Sequence, residues 1–81
     1  MNNFVTVRLY AAARSAAGQS EISALPGTLD AILNAISLTN PRLKQVFVQC
    51  SFLLDGVVVH GKECDVPAGS TLDVLPPFAG G

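Results

Sequence analysis

Apolar and polar side chains alternate near the start of the chain, with Val5, Val7 and Leu9 on one face and Thr6, Arg8 and Tyr10 on the other. A period of two marks a strand with one buried side, which predicts a strand over residues 4–10. Residues 11–18 are small and Ala-rich, with Arg14 their only charge and Gly18 ending them quickly, so a loop holding a short turn is expected there. A weaker alternation around Ile22 in residues 19–24 predicts a second strand, broken by Leu25-Pro26-Gly27. These two strands make a first hairpin.

From Thr28 the period changes. Leu29, Ile32, Leu33 and Ile36 follow the i, i+3, i+4, i+7 spacing that lays one stripe of a helix on a core. The Thr28 hydroxyl can cap the first turn, Asp30 puts a negative charge at the positive end of the helix dipole, and Asn40-Pro41 marks the end. Residues 52–54 and 57–59 flank Asp55-Gly56, a pair suited to the left-handed angles of a tight turn, which predicts a second hairpin. Residues 67–70 then turn the chain into a last strand over residues 71–75, with Leu72 and Val74 inward and Thr71, Asp73 and Leu75 outward. The order β-β-α-β-β-β describes an α+β chain with a mixed sheet packed on one main helix. This is a β-grasp, or ubiquitin-like, pattern: a domain over residues 1–75 and an extended C-terminal tail over residues 76–81.

Composition narrows what such a chain can do. Its 81 residues suffice for one core only. Charged residues make up 14% and the net charge is −1, with no basic run to follow a phosphate backbone, so nucleic acid is not an expected partner. No apolar stretch approaches the ~18 residues of a membrane span, and Met1-Asn2-Asn3-Phe4 lacks the basic and apolar regions of a signal peptide. A cytoplasmic protein without a membrane association is expected. Cys50 and Cys64 with His60 between them match no zinc or redox spacing, so no metal site is expected and the thiols are read as reduced and structural. His60 and Asp73 lack a nucleophile or second base at a useful spacing, and no catalytic constellation is present.

The chemistry is expected in the tail. Pro76-Pro77 removes two backbone donors and favours an extended exit from the sheet. Phe78 would be costly to display in water, while Ala79, Gly80 and Gly81 are narrow enough to enter a channel in another protein. A carboxylate is a poor acyl donor, but transfer to the α-phosphate of ATP makes a mixed anhydride that a sulfur nucleophile opens. A terminal diglycine alone also describes a frayed end. A rigid Pro-Pro exit from a β-grasp domain is what turns it into an arm.

The root of that arm carries a second signal. Tyr10 and Leu75 fall on the outward register at the ends of the first and last strands, which are parallel neighbours in a β-grasp sheet. With Val58 and Phe78 they form a candidate docking patch. Arg8 and Arg14 could each pair with acidic residues of a partner, although lone arginines are usually solvated surface, and Arg14 is the better candidate because it lies in the segment beyond Tyr10.

Val7-Arg8-Leu9-Tyr10-Ala11-Ala12-Ala13-Arg14 and Leu75-Pro76-Pro77-Phe78-Ala79-Gly80-Gly81 resemble the small subunits of molybdopterin synthase, within the MoaD/ThiS sulfur-carrier family. The resemblance runs the whole chain and is most specific at its end. It implies a sulfur carrier that is not itself catalytic: the Gly81 carboxylate is adenylated by an E1-like enzyme that uses ATP, and becomes a thiocarboxylate. Phe78, Ala79 and Gly80 enter the large synthase subunit in a hetero-oligomer, where sulfur passes to cyclic pyranopterin monophosphate for molybdenum cofactor biosynthesis. Tyr10, Leu75 and Val58 match apolar interface positions, and Arg14 matches an arginine that meets the activating enzyme. Two other outlets share the same adenylate: a sulfur carrier for thiamine, cysteine or tRNA thiolation, and a ubiquitin-like protein modifier.

Overall fold

The computed structural model describes residues 3–77. In chain order the elements are β1 (Val5–Leu9), α1 (Ala11–Ala17), β2 (Glu21–Ala24), β3 (Gly27–Thr28), α2 (Leu29–Thr39), α3 (Arg42–Val48), β4 (Ser51–Leu54), β5 (Val57–Val58), β6 (Asp65–Val66) and β7 (Thr71–Leu75). Five strands form one sheet in the order β2-β1-β7-β4-β5, with β3 and β6 in a separate two-stranded ribbon. β1 runs parallel to β7, and every other pair is antiparallel. The fold is a β-grasp, as the alternation and the single long helix predicted.

The core lies between one face of the sheet and the helices. Val5, Val7 and Leu9 of β1 and Leu72 and Val74 of β7 are buried against Leu29, Ile32, Leu33 and Ile36 of α2. Each such side chain contributes about 1.5–3 kcal/mol of transfer free energy relative to exposure. α2 starts as its sequence predicts: the Thr28 hydroxyl accepts from Ala31 N–H at 3.1 Å. The ribbon side contributes the next caps, since Leu29 and Asp30 donate their N–H groups to the carbonyls of Cys64 and Lys62.

Two helices depart from the sequence reading. The Ala-rich stretch expected as a loop is α1, because alanine has the highest helix propensity and Ala13 has the core to bury against. Gly18, at φ 74°, ends it with its N–H on the Arg14 carbonyl. Residues 41–50, left without an element, contain α3, which buries Leu43 and Phe47 one turn apart. Phe47 meets Phe52 of β4 edge to face, with ring centres 6.3 Å apart.

Asp55-Gly56 makes the expected turn between β4 and β5, with φ values of 48° and 85°. Asp55 also ties that hairpin to the start of β7. Its N–H donates to the Thr71 carbonyl at 2.8 Å and its Oδ1 accepts from Thr71 N–H at 2.9 Å.

Candidate functional site

The candidate site is built on the sheet face turned away from the helices, at the end of β7 (Thr71–Leu75). Successive register partners Glu21, Arg8, Asp73, Leu53 and Val58 form one row across all five strands. The row changes character along its length: acid, base and acid on β2, β1 and β7, then two apolar side chains on β4 and β5. From the sequence Arg8 could be a partner contact or solvated surface; in the structure it is exposed but paired within the chain. Its Nε donates to Asp73 Oδ1 at 2.6 Å and its Nη2 to Oδ2 at 3.0 Å, a two-pronged pair that leaves the Asp73 side chain 11% exposed and that of Arg8 46%. Hydrogen bonding to Asp73, and then its charge, hold the Arg8 pKa above the usual arginine range, with Tyr10 and Glu21 adding to the field.

One row toward the tail stand Tyr10 and Leu75. Leu9 pairs with Val74, so the next positions on the parallel strands put Tyr10 beside Leu75, and both are half-buried. Tyr10 keeps extended angles, φ −123° and ψ 152°, before Ala11 turns to φ 51° and α1 begins. These are the positions that follow the last pair of the β1/β7 ladder, at the ends of adjacent parallel strands. Val58 lies at the far edge, 52% exposed, and Leu53 stands between it and β7. Leu53 is a diagonal cross-strand neighbour of Leu75, within reach of a long side chain at roughly 7–8 Å. Sequence reasoning did not single it out, because Phe52-Leu53-Leu54 is an unbroken apolar run that gives no register.

Arg14 is exposed on α1, one helical turn beyond Tyr10, whose carbonyl receives the N–H groups of Ala13 and Arg14. Past Leu75, Pro76 is buried and Pro77 is exposed. Phe78, Ala79, Gly80 and Gly81 lie outside the described residues. The site as described is therefore a face: an apolar half formed by Tyr10, Leu53, Val58 and Leu75, and a charged half centred on Arg8 and Asp73. Among the described residues no group of His, Cys, Asp and Glu is arranged to hold a metal, and no helix is long and apolar enough to cross a membrane.

A family model described as the ThiS family matches residues 7–81, which takes in Tyr10, Leu75 and the C-terminal residues 76–81. The chain belongs to the ThiS family. Its members are MoaD/ThiS-like sulfur carriers. No match was found among curated protein sequences.

Solved structures agree with this ThiS-family assignment at the level of fold. The chain is similar to small archaeal modifier protein 1 from Methanosarcina acetivorans, with 23% identity over 100% of this chain and 99% of that one and a TM-score of 0.84. It is similar to small archaeal modifier protein 1 from Haloferax volcanii, with 22% identity, 96% and 99% coverage and a TM-score of 0.81. It is also similar to a chain in the complex of subunits 1 and 2 of molybdopterin-converting factor from Helicobacter pylori, with 22% identity, 96% and 99% coverage and a TM-score of 0.71. At such identities the shared property is the ubiquitin-like β-grasp itself.

Proposed function

We propose that this ThiS-family chain is the sulfur-carrying small subunit of a molybdopterin synthase. In this reading the Gly81 carboxylate attacks the α-phosphate of ATP on an E1-like enzyme, releasing pyrophosphate. A sulfide-level donor then displaces AMP and leaves a C-terminal thiocarboxylate. The loaded tail, Phe78 to Gly81, enters the large subunit and gives its sulfur to cyclic pyranopterin monophosphate. The chain binds no cofactor of its own and contributes a substrate arm rather than catalytic side chains.

The observation that carries this proposal is the junction of face and tail. Tyr10 and Leu75 stand side by side where β7 runs into Pro76-Pro77, so a partner that covers them meets the first residues of the arm. An apolar patch at that root supplies the docking energy, and glycines at the tip let the backbone pass a nucleotide without a Cβ clash. The Pro-Pro-x-x-Gly-Gly ending of the sequence supports the synthase over a thiamine-directed carrier. The Helicobacter pylori relative, solved as a complex of subunits 1 and 2, supports a hetero-oligomer with a large subunit.

A second reading draws on the likeness to proteins named small archaeal modifiers, in which Gly81 would form isopeptide bonds with lysines. Co-expression with a tagged large synthase subunit separates the two. The synthase reading predicts a stable complex and conversion of cyclic pyranopterin monophosphate to the dithiolene product. Lysine conjugates without such a complex would favour the modifier.

A further inference from the structure

The sheet has an open edge at β2, on the side away from the patch and tail. Leu9 N–H donates to the Ser20 carbonyl across the antiparallel β1/β2 ladder, and Thr6 N–H donates to Ser70 on the other side of β1. In such a ladder a residue's N–H and C=O point the same way, and the direction alternates along the strand. With Ser20 turned toward β1, Ile22 and Ala24 are turned toward it too. The N–H and C=O groups of Glu21 and Ser23 therefore point outward along the open edge, and among the described residues no strand lies beyond them.

Beside this edge, on the core side of the sheet, a groove of about 440 Å³ runs between β2 and α2. Ile22, Ala24, Pro26, Ala31, Ala35 and Thr39 line it. Ala31 and Ala35 are exposed on α2, and their methyl side chains leave the space that longer residues would fill.

We propose that the β2 edge and this groove bind an extended peptide segment of a partner protein by strand addition. Outward-pointing backbone donors and acceptors specify a strand as the occupant. The groove lining carries no charged side chain, so alternate residues of the added strand, those over Ala31 and Ala35, are apolar and β-branched. Glu21 is the one charged residue of the strand, which sets a Lys or Arg of the segment beside it. A second copy of this chain is a poorer fit. It would offer its own β2, whose groove-side Ile22 and Ala24 already pack on its own core, leaving the groove unfilled. This site does not rest on the sulfur-carrier reading, and it faces away from Tyr10 and Leu75, so both surfaces can be engaged at once.

The test is a titration of ¹⁵N-labelled full-length protein with the blocked hexapeptide Lys-Val-Thr-Ile-Thr-Val, whose apolar side chains share one face. The expected result is saturable shifts at Glu21, Ser23, Ala31 and Ala35, with slower amide exchange at Glu21 and Ser23. Ser23→Pro removes an edge donor without touching a β1 bond and should weaken binding about tenfold, the scale of one hydrogen bond. Ala35→Glu, at an exposed helix position, puts a charge in the groove and should weaken it by a similar factor or more, whether or not the proline variant folds. Absence of shifts along this edge at millimolar peptide overturns the proposal. So do shifts centred on Leu53, Val58 and Leu75, retained affinity in Ala35→Glu, or concentration-dependent shifts of β2 without peptide, which would assign the edge to a second copy.

Discussion

Arg8 and Asp73, 65 positions apart in sequence, are register partners on parallel strands and clasp each other through two hydrogen bonds at the centre of the outer sheet face. Removing either partner strands the other. Asp73→Leu or Arg8→Leu alone should lower the melting temperature, and Arg8→Leu should do so the more, because it leaves a largely buried carboxylate without its donor. Arg8→Leu with Asp73→Leu should recover most of that loss, since matched apolar replacements remove the desolvation problem. Thermal unfolding of the four proteins measures the coupling. Strict additivity of the single changes would show that the pair is not coupled.

Leu53 is expected to be the energetic centre of the apolar half, since it lies between Val58 and β7 and neighbours Leu75 diagonally. Under the proposed synthase role, Leu53→Asp should weaken binding to the large subunit by about 2 kcal/mol, roughly thirtyfold, with the fold intact by circular dichroism. Val58→Asp, at the far edge, should cost less. Leu25→Asp, exposed beside the β2 groove, should leave this affinity unchanged. Calorimetric titration reads all three.

Ala11, the first residue of α1, sits at φ 51°, a conformation that costs an L-residue with a Cβ free energy and glycine almost none. Ala11→Gly should therefore raise stability by about 0.5–1 kcal/mol after the larger unfolded-state entropy of glycine is subtracted. Denaturant unfolding tests it. A loss of stability would mean that the helix start, rather than the left-handed angle, dominates at this position.

Burial pushes the Cys50 thiol up from 9.0 to about 11, and its Sγ lies 3.1 Å from the Val46 carbonyl. The folded state holds the neutral thiol longer than the unfolded chain does, so the unfolded chain binds fewer protons between those values. The contribution of this group is fully present below pH 9 and is lost as pH rises toward 11. Unfolding of the wild type against Cys50→Val over that window should show a steeper decline for the wild type. Parallel curves would contradict it.

How much of this was legible in the sequence follows from how each element is stabilised. β1 and α2 each bury one face and β7 alternates apolar and polar residues in sequence, although Asp73 is buried too, so their periods of 2 and 3.6 were plain; the Asp55-Gly56 turn announced itself by chemistry. α1 was misread because alanine-rich segments lack contrast between faces, and α3 because Leu43 and Phe47 mark only one turn. The juxtaposition of Tyr10 and Leu75 was readable, since it needs only the strand ends and the parallel pairing. The Arg8–Asp73 pair was not, because each looked like an ordinary outward polar residue until the register of β1 on β7 set them opposite each other. Leu53 was hidden by apolar neighbours on both sides.

The most direct test of the central claim is the intact mass of the protein after incubation with ATP, an E1-like activating enzyme and a sulfur donor. The account predicts a gain equal to the difference between sulfur and oxygen, localised to Gly81, and its loss when one Ala is appended after Gly81 or when ATP is omitted. An unchanged mass with an enzyme that loads another ThiS-family carrier under the same conditions would contradict it.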